Sequence, residues 1–510
     1  MKKKIVALSL IAAMIAGLTA CGQTAEPADT ASKTEQKTES STSTDTTQKE
    51  EVAAPEAKTV DKIVLWSNNY ETDEEHRQLF CDLFKEDTGV ELEWVSFPKE
   101  DYEDVLAAAL MGCDVDDLPD IIEAPDDLGV LLKQEYLYDI APLIENNATM
   151  KEVIEKNPAM TAEYELSDGR IVGLATAQFQ TMTIWTRQDL LDEQGIGEIK
   201  SLDDFTEALR KVKAAYPDMI PFTAPNGLKV WEVVSNWFGA KYSIYKNTDG
   251  VFVDPTLSAE YKDFMEYVKM LYDEGLVDKE LPTNTSYGTI RNKYNNGEAV
   301  FEIMWDNTGK TFMNSATALG GSVGYVMPVD GEKGTLGLNY DPPCSPVIMT
   351  TGVEDDEAQF IFDTFFNWYF TNESGVIATS IGVPGYAWDV VDGVYTEKEG
   401  MDTGVKPQSN PPMDLEFEYP FVFDEVSNYR YEVANIMRAE VVKREESVMT
   451  IYPGLEYTDY AAIASDLDSY RTELFYLYVM GEKDYDSFVN EYTAKFNELG
   501  VQDMIDNMNK

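Results

Sequence analysis

Histidine is almost missing from this chain: His76 is the only one among 510 residues. That count excludes a Ser-His-Asp hydrolase from any site without His76, and it excludes zinc sites built on several histidines. His76 lies in TDEEHRQLF, where Thr72 and Glu75 form a T-x-x-E capping box. It is therefore expected early in a helix, at the surface. Cysteine is scarce as well. Cys21, Cys81, Cys113 and Cys344 show no metal-ligand spacing. Basic residues number 40 against 93 acidic ones, a net charge of −53. Phosphate recognition needs the opposite balance, so nucleic-acid binding is excluded. The acidic excess reads as a solvated surface, and it would also attract cationic ligands. The run DVDDLPD (residues 114–120) lacks the D-x-[DN]-x-[DN]-G calcium-loop pattern, so no metal and no cofactor are expected. Beyond the N-terminus no apolar run is long enough to span a bilayer. QFIFDTFFNWYF (residues 359–370), interrupted by Asp363 and Asn367, reads as a buried helix.

The N-terminus is different. Lys2, Lys3 and Lys4 precede an apolar stretch from Ile5 to Leu18, closed by Leu18-Thr19-Ala20-Cys21. A charged start, a short apolar run and small residues at the exit read as a secretory signal. The closing tetrad resembles the bacterial lipobox. That resemblance implies a signal peptide over residues 1–20, cleavage before Cys21 and a thioether-linked lipid on its sulfur. The mature protein would then be anchored in the lipid bilayer on the extracellular face of the cell membrane. Residues 22–58 hold no aromatic residue and only Val52 as a large aliphatic. Such a segment cannot bury enough apolar surface to offset its ordering entropy. Residues 21–58 are thus a lipidated cysteine and a flexible tether on the order of 30 Å end to end.

Residues 59–510 are too many for one ordinary core, so two or three domains are expected. KIVLWS (Lys62 to Ser67) reads as a strand, Asp73 to Asp87 as a helix ended by Gly89, and Val90 to Phe97 as a second strand. A helix over Glu100 to Met111 and a short strand over Asp120 to Ala124 follow. This alternation implies a parallel sheet with helices on its faces, and ligands bind beyond the carboxyl ends of such strands. Those ends carry Trp66, Ser67, Asn68, Asn69 and Glu123. Downstream, Ser201 caps a helix (LDDFTEALRKVKAAYP), Ser258 to Asp273 is a helix stopped by Gly275, and the strand Ala299 to Trp305 exits at Trp305, Asp306 and Asn307. Two α/β lobes facing each other would place these groups across a cleft.

The order of segments resembles the family 1 extracellular solute-binding proteins, the lipoprotein receptors of ABC importers that mostly take oligosaccharides. The resemblance rests on KIVLWS, FKEDTGVELEWV, LPDIIEA, SDGRIVGLATA, IWTRQDLLDEQGI, SLDDFTEALRKVK, LYDEGLVDKEL, NNGEAVFEIMW, GVPGYAW and FNELGVQDMIDNMNK, in that order. It implies an α/β, two-lobe periplasmic-binding-protein-like fold, with a hinge and a ligand cleft between the lobes. Residues 59–175 and 349–390 would form lobe 1, and residues 178–345 and 391–510 lobe 2 with the C-terminal helices. It also implies a monomeric, non-catalytic receptor that hands its ligand to ABC transporter permease subunits.

A pyranose offers an apolar C–H face, which stacks on Trp or Tyr, and hydroxyls, which pair with Asn, Asp or Glu. Trp66, Asn68, Asn69, Glu123, Asp126, Trp305 and Asp306 have that mixture at strand exits. By family position, Trp231, Tyr386 and Trp388 join them as candidate ligand contacts. Trp94, Trp185, Trp237 and Trp368 are expected to pack. Two alternatives stay open. A peptide, polyamine or other cationic solute would suit the acidity and the aromatic residues. A surface glycosidase would need a pair of carboxylates about 5–10 Å apart.

Overall fold

The structure, a computed structural model, describes residues 58–68, 74–98, 102–111, 113–123, 125, 128–176, 179–342, 345–386, 388–392, 394–398 and 425–510. The signal segment, Cys21, nearly all of the tether, Asn69, Asp126 and Cys344 lie outside the described residues.

Two sheets organise the chain. The first contains β1 (Lys62–Asn68), β2 (Glu91–Phe97), β3 (Ile121–Glu123), β4 (Leu174–Ala175) and a late strand, β13 (Pro346–Met349), in the order β2-β1-β3-β13-β4. Successive side chains on a strand point to opposite faces, and here both faces are covered. Ile121, Val347 and Met349 enter one core with Phe84 and Phe362, while Ile122 and Ile348 enter another with Leu106 and Leu128. The helix Glu74–Thr88 supplies Phe80 and Phe84 and ends at Gly89, whose φ of 78° suits glycine.

The second sheet contains β5 (Met182–Arg187), β6 (Ile220–Thr223), β9 (Ala299–Trp305) and β10 (Val323–Tyr325), in the order β10-β5-β9-β6. Ile184 and Ile303 face one core, Trp185 and Met304 the other. The helix Leu202–Ala215 begins where Ser201 Oγ accepts from Asp204 N at 3.0 Å, and its Phe205 meets Phe222 and Phe301 edge-on at 5.3 and 5.5 Å. Two small hairpins, β7 (Tyr245–Lys246) with β8 (Phe252–Val253) and β11 (Val329–Asp330) with β12 (Thr335–Leu336), decorate this half.

β1 pairs in parallel with β2 and with β3, as the β-α-β-α-β order predicts, and β6 pairs in parallel with β9, but each sheet also takes in antiparallel strands and is therefore mixed. β13 runs antiparallel to β3 and β4, and β5 runs antiparallel to β9 and β10. The cause is the route of the chain. β5 follows β4 of the first sheet directly, and β13 follows the β11–β12 hairpin, with no helix between them to make the crossover that parallel neighbours require. The segments that lead into β5 and β13 pair with each other. Gln180 and Asp341 exchange backbone hydrogen bonds of 2.9 Å, and Thr176 Oγ1 donates to the Ser345 carbonyl at 2.7 Å.

After β13 the helix Asp355–Phe370 returns to the first sheet and buries Phe362, Phe365 and Phe366, with Trp368 Nε1 donating to Asp87 at 2.7 Å. The hairpin of β14 (Trp388–Val391) and β15 (Val394–Glu397) follows. The helix Glu425–Lys443 then covers Trp185, Met304 and Phe312 on the second sheet with Val433, Met437 and Val441. The C-terminal helices Ala461–Val479, Tyr485–Glu498 and Val501–Met508 extend the second core. Between these parts, the 3-10 turn Leu455–Tyr460 touches the helix Leu128–Lys133 on the first-sheet side. Gly129 permits that approach, because a Cβ there would lie 2.1 Å from Thr458 Cγ2. Lys133 Nζ donates to the Thr458 carbonyl at 3.1 Å.

His76 corrects another expectation. It does fall in the first turn of a helix, but it is 2% exposed. The turn after the helix Glu373–Ile381 covers it: Val383 N donates to Nε2 at 3.1 Å, and the Tyr386 ring lies 5.1 Å away.

Candidate functional site

Residues that follow β3 and β6 join the paired crossing segments around a cavity of about 570 Å³. Pro125, just past β3, together with the helix Leu128–Lys133 and Tyr164, forms the first-sheet wall. Lys229, six residues past β6, and Tyr242 form the opposite wall, and the Tyr452–Tyr460 stretch closes one side. Asp341 and Ser345 come from the crossing segments themselves.

Aromatic faces dominate. Tyr242 and Tyr452 stand 4.6 Å apart with their rings tilted by 46°. The Tyr452 hydroxyl donates to the buried Glu232 carboxylate, which fixes the ring. Charged groups line the same cavity. Lys229 Nζ pairs with Asp341 Oδ1. Glu163, still open to solvent, is held above the ordinary carboxyl range by partial desolvation, with Lys229 opposing the shift and Asp341 adding to it. Asp468 accepts from Ser243 Oγ at 2.9 Å and from the fully buried Arg471 at 2.5 Å. Flat aromatic faces beside acceptors and hydroxyls suit a ligand that is apolar on its faces and rich in hydroxyls at its edges. Among the described residues no group of three or more His, Cys, Asp or Glu is placed to hold a metal.

Residues 80–387 match the family model described as bacterial extracellular solute-binding protein. The chain belongs to that family. As a bacterial extracellular solute-binding protein it is a transport receptor and not an enzyme. One relative of this solute-binding protein is lipoprotein LipO of Bacillus subtilis, 20% identical over 454 residues that span 83% of this chain and 86% of LipO. Another is FusA of Streptococcus pneumoniae, a fructooligosaccharide ABC transporter substrate-binding protein, 23% identical over 333 residues that span 60% of this chain and 58% of FusA. Among solved structures, FusA in complex with kestose superposes with a TM-score of 0.63 at 16% identity, covering 87% of this chain and 96% of FusA. The Streptococcus pneumoniae N-glycan transport protein NgtS, in complex with Man5GlcNAc, gives a TM-score of 0.56 at 13% identity, covering 88% and 97%. At these identities the structural likeness is one of fold: α/β, two-lobed, with two mixed sheets.

The residues singled out in the sequence of this solute-binding protein do not all meet. Trp66 is half-buried two residues before the end of β1, its ring edge-on to Phe97 at 5.3 Å. Trp305 is half-buried at the end of β9, 6.1 Å from the Tyr287 ring. Asn68 ends β1. Glu123 is buried, its Oε1 accepting from Tyr369 at 2.6 Å, and burial holds its carboxyl above the usual range. Asp306 is fully buried, bound by Thr181 Oγ1 at 2.7 Å and likewise raised by burial. Both carboxylates brace strand exits from within.

Three candidates from the family pattern turn out differently. Trp231 is 0% exposed and sits in the core between Phe222 and Phe264, at 5.7 and 6.2 Å. Trp388 is buried, its Nε1 donating to the Gly382 carbonyl at 2.7 Å. Tyr386 is half-buried against His76, on the first-sheet side. None of the three lines the cavity of about 570 Å³, and neither do Trp66, Asn68, Glu123, Trp305 or Asp306. Its actual walls, Tyr164, Lys229, Tyr242, Asp341 and Tyr452, escaped the sequence reading. Lys229 stands two residues before Trp231 in NGLKVW, and Tyr452 opens a Tyr-Pro-Gly turn signal. Neither signal points to a ligand until the segments meet.

Proposed function

We propose that this solute-binding protein captures an oligosaccharide in the cavity between its sheets and delivers it to the permease of an ABC importer, from a lipid anchor at Cys21 on the outer face of the cell membrane. The observation that carries this reading is the cavity itself. Tyr164, Tyr242 and Tyr452 line it together with Glu163, Asp341, Asp468 and Ser243, a mixture of flat apolar faces and hydroxyl partners that suits a chain of pyranose or furanose rings. Relatives that carry sugars, FusA with kestose and NgtS with an N-glycan, support it. Residues 59–175 and 349–390 act as lobe 1, and residues 178–345 and 391–510 as lobe 2. The paired segments around Gln180 and Asp341 serve as the hinge. Trp66 and Trp305 extend the sugar surface beyond the cavity, with Asn68, Asn69 and Asp126 as hydroxyl partners.

The test is a thermal-shift screen of the full chain against oligosaccharides, with polyamines and short peptides as controls. A sugar that binds only the folded state raises the melting temperature in proportion to the logarithm of its concentration. Recovery of that sugar unchanged supports the receptor, and recovery of a cleaved sugar overturns it. A cationic solute is the second reading, favoured by Glu163 and Asp341 at the wall. Its affinity would fall steeply as salt rises, whereas that of a neutral sugar would stay level.

A further inference from the structure

We propose that the cavity accepts uncharged oligosaccharides and rejects those built of uronic acids, a specificity that rests on the carbohydrate reading above. Four side chains at the wall carry charge: Glu163, Asp341, Asp468 and Lys229. Lys229 is the only basic one among the described lining residues, and its ammonium is committed to Asp341. Arg471 stands behind Asp468 but is fully buried, its guanidinium bound to Thr256, Asp254, Asp468 and the Tyr242 carbonyl. Among the described lining residues no cation stands without an anionic partner.

A uronate entering the site would meet Glu163 and Asp341 with like charge and would have to displace Asp341 from Lys229 to gain a partner. A neutral sugar meets the same groups as an ally. Carboxylates only accept hydrogen bonds, and sugar hydroxyls are donors in abundance. The wall thus separates ligands by charge and not by shape.

The experiment titrates the full chain in detergent by calorimetry with neutral malto- and fructo-oligosaccharides, and with oligogalacturonates of matching length. Neutral ligands should bind, and the galacturonates should bind at least tenfold more weakly. The Glu163→Gln/Asp341→Asn variant leaves Lys229 without its partner while keeping the shape of both side chains. It should gain at least tenfold for galacturonates, and added salt should erase the gain. The single variants Glu163→Gln and Asp341→Asn, each expected to show part of the gain, stand in if the double variant fails to fold. Parent binding of galacturonates as tight as that of neutral ligands overturns the charge filter while leaving the carbohydrate receptor intact. So does a folded double variant with no gain. If the parent binds neither class, the carbohydrate reading fails and the filter with it.

Discussion

Replacing Trp231 with alanine separates packing from ligand contact. The indole is fully enclosed, with Phe222 and Phe264 as ring neighbours. Truncation withdraws on the order of 200 Å² of apolar surface from the core. At about 25 cal/mol per Å² that amounts to ~5 kcal/mol, within reach of the ~3–5 kcal/mol typical of buried Trp or Phe to Ala changes. For a folding unit of this size the melting temperature should drop on the order of 5–10 °C. Differential scanning calorimetry of the full chain measures the drop. Titration with the sugar found in the screen, well below melting, measures affinity per folded molecule, which should stay within about twofold of the parent because nothing of Trp231 reaches the cavity. Trp305→Ala should show the opposite balance, a modest melting change and an affinity loss of ~1 kcal/mol or more. The reasoning is refuted if Trp231→Ala melts within about 2 °C of the parent.

Burial pushes the Glu302 carboxyl well above its ordinary 4.5, so above that pH the folded chain retains a proton that the unfolded chain releases. Stability from this group is present below about pH 4.5 and lost as pH rises towards the folded value; urea midpoints of Glu302→Gln and the parent should diverge in the variant's favour from pH 4.5 to 7.5, and a constant gap would contradict this. Lys293 and Asp278 form a buried pair at 2.6 Å, and Asp278 also accepts from Thr223 and Asn284. Lys293→Met strands that carboxylate and should cost about 3–5 kcal/mol in urea unfolding, with a loss below ~1 kcal/mol counting against the pair. The Cys81 thiol is raised by burial to about 11. Iodoacetamide at pH 8 should therefore leave Cys81 largely unmodified in the native chain and alkylate it in urea, as peptide mapping would show.

Much of the architecture could be read from local pattern. The strand Ala299–Trp305 and the helix after Ser201 stand where apolar spacing and the cap put them, and Gly89 ends its helix. The helix expected from Glu100 to Met111 runs Tyr102–Leu110, a shift confined to fraying ends. Strand direction was a different matter. Nothing inside PVIM or MTIWTR states whether a strand runs with or against its neighbour, because that depends on the side from which the chain returns. His76 and Trp231 show the same limit for burial. A polar first turn and a lone tryptophan look exposed until the Val383 turn and the Phe222–Phe264 pair close over them.

The boundaries of secondary structure, the alternation that sends Ile121 and Ile122 to opposite cores, and the membership of a solute-binding family are properties of near neighbours along the chain. They follow from side-chain periodicity and backbone preference, which act over a few residues. The cavity belongs to no stretch of sequence. Tyr164, Lys229, Asp341 and Tyr452 come from four distant segments. Their chemistry exists only because the paired crossings and the Leu455–Tyr460 turn hold both sheets to one space. Which acid is buried, which lysine is spent on an ion pair and which aromatic faces a ligand are consequences of packing, where contact is decided by distance in space.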